Sequence, residues 1–177
     1  MKKVVILVHS PVLAPYSGGI AEVIKKDYNL NPKVSRVFLR DSNGNPIVTG
    51  SFLKGYVNLY LKMKNRRERL NVRVYPGVLR GKIAVFSQIR TSGEVFSPEV
   101  LLPGGEIHFF VEGRDEDRFV DLLREAISER VPLGGCGNRG FGLIKLKTVE
   151  NISIKFIKKK EGFKSGSRNP VTNPAEK

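Results

Sequence analysis

The stretch "VPLGGCGNRGFGLIKLKTVE", Val131 to Glu150, decides the fold, because its glycines fit several architectures that differ only in what flanks them. Gly135-x-Gly137-x-x-Gly140 spells a dinucleotide fingerprint, which must follow a strand and open a helix so that the helix N-terminus holds the pyrophosphate. The segment before it, "RDEDRFVDLLREAISERV", is the clearest helix in the chain. Phe119, Leu122, Leu123, Ala126 and Ile127 recur at i, i+3, i+4 spacing, acids crowd the first turn, Arg130 sits in the last, and Pro132 stops it. The segment after it, "FGLIKLKTVE", alternates as a strand. The order is therefore reversed, and dinucleotide binding is excluded. A kinase glycine loop lies between strands, and the other kinase motifs are missing, so that reading fails as well.

Arg139 to Leu146 also follows much of an RNA-recognition signature. In that module the motif lies on the third strand, ahead of the second helix, and offers rings to stack bases. Here it follows the second helix, with Leu143 and Leu146 where two rings would be, so base stacking along this strand is not expected. What remains is backbone chemistry. Four glycines in seven residues let main-chain N–H groups approach phosphate without Cβ interference, with Arg139 as a fork donor. Taken alone, the stretch fits either phosphate binding or a tight turn.

Working outward, "KKVVILVHS" reads as a buried first strand, and Pro11–Lys33 as an irregular insertion with three prolines and two glycines. "VSRVFLRDSNGNPIVTG" places two extended arms around Asn43-Gly44, a hairpin signal. At Ser51 the period changes: Leu53, Val57 and Leu61 form one stripe with Tyr56 and Tyr60 beside it, a helix capped by Thr49 or Ser51. Gly55 inside that helix costs about 1 kcal/mol relative to Ala, which suggests a close approach to its backbone. Strands follow near Lys82–Arg90 and Glu106–Glu112. Stripped of insertions, the order is βαββαβ, an α+β, ferredoxin-like (RRM-like) core with an inserted loop and hairpin region at 11–48 and a C-terminal glycine-rich loop. The expectation is one domain over 1–157, then a basic, flexible tail over 158–177.

The chain has 177 residues, 40% of them hydrophobic, enough for one domain with a real core. Its 31 Lys and Arg against 17 Asp and Glu give a net charge of +14, which points to a polyanionic partner. No apolar run approaches the ~18 residues a membrane span needs, and "VVILVHSPVLAP" lacks a signal cleavage site. With one cysteine and no signal segment, a cytoplasmic location is expected. Lys25-Lys26, the Lys62–Arg69 cluster with Arg66 and Arg67, and Lys158–Lys160 are the basic groups. His9 and His108 are the only histidines. His9 ends the first strand and is a candidate for acid–base or RNA chemistry, whereas His108 reads as a packed or partly exposed strand residue. Two histidines and one distant Cys136, a small filler in the loop, give no metal-ligand spacing, so no cofactor is expected.

Four segments together resemble the RAMP superfamily of CRISPR-associated proteins, most closely the backbone subunits of type III effector complexes. They are "ILVHSPVLAPYSGG", "VFLRDSNGNPIVTG", "IVTGSFLKGYVNLYL" and "PLGGCGNRGFGLIKL", spanning about Val4 to Val149 in the family's order. The resemblance implies a subunit that grips CRISPR RNA by its backbone and presents it to complementary target RNA. Other effector subunits would be its partners, and copies of the chain would stack along the guide. It places Ser51 and Lys54 on the guide backbone, Gly134, Gly135, Gly137, Arg139 and Gly140 in a loop against phosphates, and Pro11–Lys33 at a neighbour or the RNA. By spacing, the aspartate with which many family members cut target RNA falls at Ser35, which is no acid. Asp27 is the other acid in reach, and a divalent metal would enter only with such cleavage. Asn58 stands where an Arg often follows the Lys-Gly pair. The alternatives are a metal-independent endoribonuclease that uses His9 to process CRISPR RNA, and a ferredoxin-like assembly domain whose charge is merely solubilising.

Overall fold

A computed structural model describes residues 1–89, 93, 95–135 and 137–153. Cys136, Lys158–Lys160, the tail and the boundary drawn at 157 lie outside the described residues. The elements are β1 (Lys2–Val8), β2 (Val12–Leu13), α1 (Gly19–Asp27), β3 (Leu39–Arg40), β4 (Pro46–Val48), α2 (Gly50–Met63), β5 (Val72–Val74) and β6 (Gly77–Arg80). They continue with β7 (Ile83–Val85), β8 (Gln88–Ile89), β9 (Val95–Phe96), β10 (Glu99–Leu101), β11 (Glu106–Gly113), α3 (Glu116–Ser128) and β12 (Ile144–Asn151).

The protein is α+β. Its main sheet runs β12-β1-β11-β6-β4-β3, antiparallel throughout, with β5 added beside β11. The succession β1, α2, β6, β11, α3, β12 follows the βαββαβ order read from the sequence. Strand alternation sends Val4, Ile6 and Val8 of β1 and Ile107, Phe109 and Val111 of β11 to one face. Against them lie Leu53, Val57 and Leu61 of α2 and Phe119, Leu122 and Leu123 of α3. Tyr56 and Tyr60 belong to this core, and the Tyr56 hydroxyl donates to the Val131 carbonyl at 2.9 Å. Thr49 caps α2, its Oγ1 accepting from the Phe52 amide at 3.2 Å, an arrangement worth about 1 kcal/mol.

Three sequence expectations need correction. Pro11–Lys33 is not irregular: it contains β2 and α1, because Ala21 and Ile24 find Val34 and Val37 and form a satellite core with them. Lys82–Arg90 is not one strand. It divides into β7 and β8 where Phe86 turns to meet Phe141 edge-on, ring centroids 5.2 Å apart. Arg130 does not sit in the last turn of α3 but beyond it, at φ 57°, where the chain reverses and the Val131 amide returns to the Ala126 carbonyl.

The hairpin around Asn43-Gly44 forms as expected. Gly44 takes φ 80°, and the Asp41 carboxylate accepts from the Asn43 and Asn45 amides, both at 2.9 Å. Its base is fixed by a buried ion pair: Arg40 Nη2 lies 2.5 Å from Glu99 Oε1, and Glu99 Oε2 accepts from the Phe38 amide.

Candidate nucleic-acid interface

The glycine-rich loop connects α3 to β12 and is closed at its neck. The Leu133 amide donates to the Gly142 carbonyl and the Gly142 amide to the Pro11 carbonyl, both at 2.9 Å. His9 and Ser10 donate their amides to the Leu143 carbonyl, and the Ser10 Oγ accepts the Leu143 amide at 2.8 Å. The His-Ser-Pro segment after β1 therefore holds the second leg of the loop at Gly142 and Leu143, and the Leu133–Gly142 bond ties the first leg to it. A single 3₁₀ turn, Gly137–Arg139, forms its crest.

The glycines in this loop serve different ends. A Cβ on Gly137 would lie 2.2 Å from the Pro132 Cγ, so packing demands that glycine. Gly134 and Gly140 adopt φ of +85° and +80°, a region that side chains disfavour. Gly135 has neither constraint, since its Cβ position is open and its φ ordinary. Among the described residues the Gly134 and Gly135 amides meet no acceptor, so two N–H donors stand exposed side by side. Arg139 is partly engaged, its Nη1 donating to Gln88 Oε1 at 2.6 Å.

Across from this loop lies the start of α2. A groove of about 270 Å³ runs between them, bordered by Ser51, Phe52, Gly55 and Leu59 on the helix and by Pro132 and Gly134 on the loop. Gly55 is exposed, mid-helix, with nothing within 4 Å of a Cβ. No contact inside the protein accounts for it. Ser51 Oγ shares a hydrogen bond with Thr49 Oγ1 at 2.9 Å, and the Tyr16 hydroxyl donates to the same Thr49 oxygen at 2.8 Å. The first turn of α2 carries no acid, leaving its positive dipole end unopposed. Lys54 donates one proton to the Val72 carbonyl at 3.2 Å, which leaves the ammonium two further donors.

The remaining candidates scatter. Lys25 is 7% exposed, and its ammonium donates to the Pro32 and Val34 carbonyls and pairs with Glu22, so its side chain faces inward. Lys26 is exposed and carries no partner among the described residues. Arg66 bridges Glu125 at 2.9 Å and Glu68 at 2.7 Å, whereas Arg67 is exposed and unpaired among the described residues. Asp27 is the exposed last residue of α1, and no hydrogen bond or ion pair joins it to the glycine loop among the described residues. The Ser35 Oγ accepts the Ser97 amide at 2.9 Å while the Ser35 amide donates to the Ser97 carbonyl, a structural pairing. His108 is half-buried on β11, 2.6 Å from Glu106. His9 borders a separate cavity of about 360 Å³, together with Ser128, Arg130 and Lys145. That cavity was invisible in the sequence, where its three cationic or titratable members lie far apart. Among the described residues no group of three or more His, Cys, Asp or Glu is placed to hold a metal ion, and no helix is long and apolar enough to cross a membrane.

No family model and no curated protein matches the chain. Solved structures do. A chain in the cryo-EM structure of the Type III-B Cmr-beta bound to cognate target RNA superposes with a TM-score of 0.61 at 18% identity, over 84% of this chain and 59% of that one. This chain thus spans less than two thirds of that neighbour. A chain of a Type IV-B CRISPR complex superposes with a TM-score of 0.56 at 11% identity, over 98% of this chain and 95% of that one. At such identities the likeness is one of fold: this chain is folded as chains of CRISPR complexes are.

Proposed function

We propose that the protein is a RAMP-type subunit of a CRISPR ribonucleoprotein that grips guide RNA through its sugar-phosphate backbone. The observation that carries this reading is Gly55. An exposed mid-helix glycine weakens α2 without any packing reason, and it borders a groove whose other wall includes Gly134, whose amide has no partner among the described residues. A phosphate ribbon entering that groove would meet the Gly134 N–H donor and the α2 N-terminus, with Gly135 and Lys54 next in sequence to residues of its two walls. None of these donors reads a base, so the grip would be indifferent to sequence. The net charge of +14 supports the same class of ligand. The fold likeness makes a CRISPR RNA the natural occupant, with target RNA, other effector subunits and further copies of this chain as partners.

Fluorescence anisotropy with a labelled single-stranded RNA tests the grip. Gly135→Glu places a carboxylate among the amides at a position with room for it, and should weaken binding roughly tenfold or more, ~1.4 kcal/mol, with an unchanged circular dichroism spectrum. Equal affinity in a folded Gly135→Glu would remove the basis of the proposal.

The endoribonuclease alternative keeps one favourable observation: His9, Arg130 and Lys145 border one cavity, where cations could stabilise a phosphorane. On that reading, repeat RNA is cut once without metal, and His9→Ala abolishes the product band on a sequencing gel.

A further inference from the structure

The main sheet has a second face. Both long helices pack on the side bearing Ile107, Phe109 and Val111, so alternation along β11 turns His108 and Phe110 the other way. Phe110 is only partly buried and belongs to none of the apolar clusters. The Tyr75 amide bonds to the Phe110 carbonyl, and the Tyr75 hydroxyl reaches Glu112, which also faces outward. Tyr75 and Phe110 thus lie side by side across neighbouring strands, and the Arg73 guanidinium covers the Tyr75 ring at 4.9 Å. Two aromatic rings, an imidazole and a guanidinium plane share one surface on which neither α2 nor α3 packs.

The charges on this face are arranged around those planes. Lys3 is directly opposite Phe110 in the register, and Arg80 is directly opposite Glu106. Of the carboxylates, Glu106 pairs with Lys147 and lies 2.6 Å from the His108 ring, Glu150 pairs with Lys3 at 3.8 Å, and Glu112, opposite Arg73 in the register, keeps its charge while accepting from the Tyr75 hydroxyl. Arg80 and Lys145 have no partner among the described residues. A polyanion approaching the face meets two cations without internal partners, Arg80 and Lys145, against Glu112 as the one of these three carboxylates that has no ion pair among the described residues.

β11 is the third strand of the βαββαβ core and stands immediately before its second helix. In RNA-recognition modules that sheet face presents outward rings on which unpaired bases stack. We propose that the outer sheet face is a second RNA surface, on which bases of a single strand stack on Phe110 and the neighbouring planes while Lys3 and Arg80 meet its phosphates. It differs in kind from the groove beside α2, which lies on the helix-covered side and offers only backbone and cationic donors. It touches base faces, it stands whether or not the groove binds a guide, and its occupant is single-stranded RNA, since a paired duplex hides its base faces.

A single-stranded RNA carrying 2-aminopurine reports stacking directly, because its fluorescence falls when the base stacks on a ring. The full chain should quench it. Phe110→Ala should abolish the quenching and weaken affinity roughly tenfold, and Phe110→Tyr should restore both. Gly135→Glu should weaken affinity but leave the quenching intact at saturating protein, so the two surfaces fail separately. Wild-type quenching and affinity in Phe110→Ala overturn the proposal. Should that variant not fold, ultraviolet cross-linking of the wild-type protein decides: a nucleotide adduct within residues 106–113 supports the second surface. Adducts confined to the glycine loop and α2, as when a protein partner rather than RNA covers the face, overturn it.

Discussion

Gly55→Ala should stabilise the protein by about 0.5–1 kcal/mol, since alanine is the better residue in an exposed helix interior and its Cβ meets nothing within 4 Å. For a chain of this size that is a rise in Tm of roughly 2–4 °C, readable by calorimetry. The same variant should bind RNA more weakly, because the methyl narrows the groove. A variant that gains stability and keeps full affinity would show that Gly55 has no ligand to accommodate. The sequence singled out Gly55 because propensity is a local property, although no neighbour approaches its Cβ position within 4 Å. It could not sort the loop glycines, because Gly137 is required by Pro132 and Gly135 by nothing within the fold. Lys25 and Lys26 likewise look alike in sequence, yet a 100° step around α1 sends one ammonium to the Pro32 and Val34 carbonyls and leaves the other outside.

At the scale of elements, the segment after α2 is tied to α3 by charge. Arg118 and Arg66 both grip Glu68, and with Arg118 as the chief cause the Glu68 carboxyl is held down at about 2, against an ordinary 4.5. A carboxyl depressed on folding contributes stability in full above its unfolded value and loses it as pH falls through the folded one. The Tm difference between wild type and Glu68→Gln should therefore be constant above about pH 4.5 and close as pH approaches about 2. A difference that persists at pH 2 would mean the carboxylate's charge is not what matters. The long, strongly periodic elements α2, α3, β1 and β11 were legible, each beginning and ending close to where its pattern does. The short ones were not. β5, β6 and β8–β10 have two to four residues, too few to show a period, and tertiary pairing alone defines them. α1 was hidden because prolines and glycines surround nine residues whose Ile20 and Val23 remain exposed, which blurs its stripe.

For the whole molecule, the balance of 31 basic against 17 acidic residues outweighs any single contact. If about four phosphates are neutralised on a single strand, log K should fall against log salt with a slope near −3, so a fourfold rise in salt costs roughly fiftyfold in affinity. A slope near zero in an anisotropy titration would contradict an electrostatic grip. Charge was fully legible in composition, whereas its allocation between internal pairs such as Arg40–Glu99 and outward groups such as Arg67 emerged only with the fold. The hydrogen bonds from Leu133, Gly142, His9 and Ser10 have a thermodynamic corollary. Because they order the loop in the free protein, its conformational entropy is lost during folding, and the proposed RNA would not have to supply that cost at encounter. Association should then be fast and free of a lag. In hydrogen–deuterium exchange the amides of Leu133 and Gly142 should stay protected in the free protein, while those of Gly134 and Gly135 slow only once an oligonucleotide is seated.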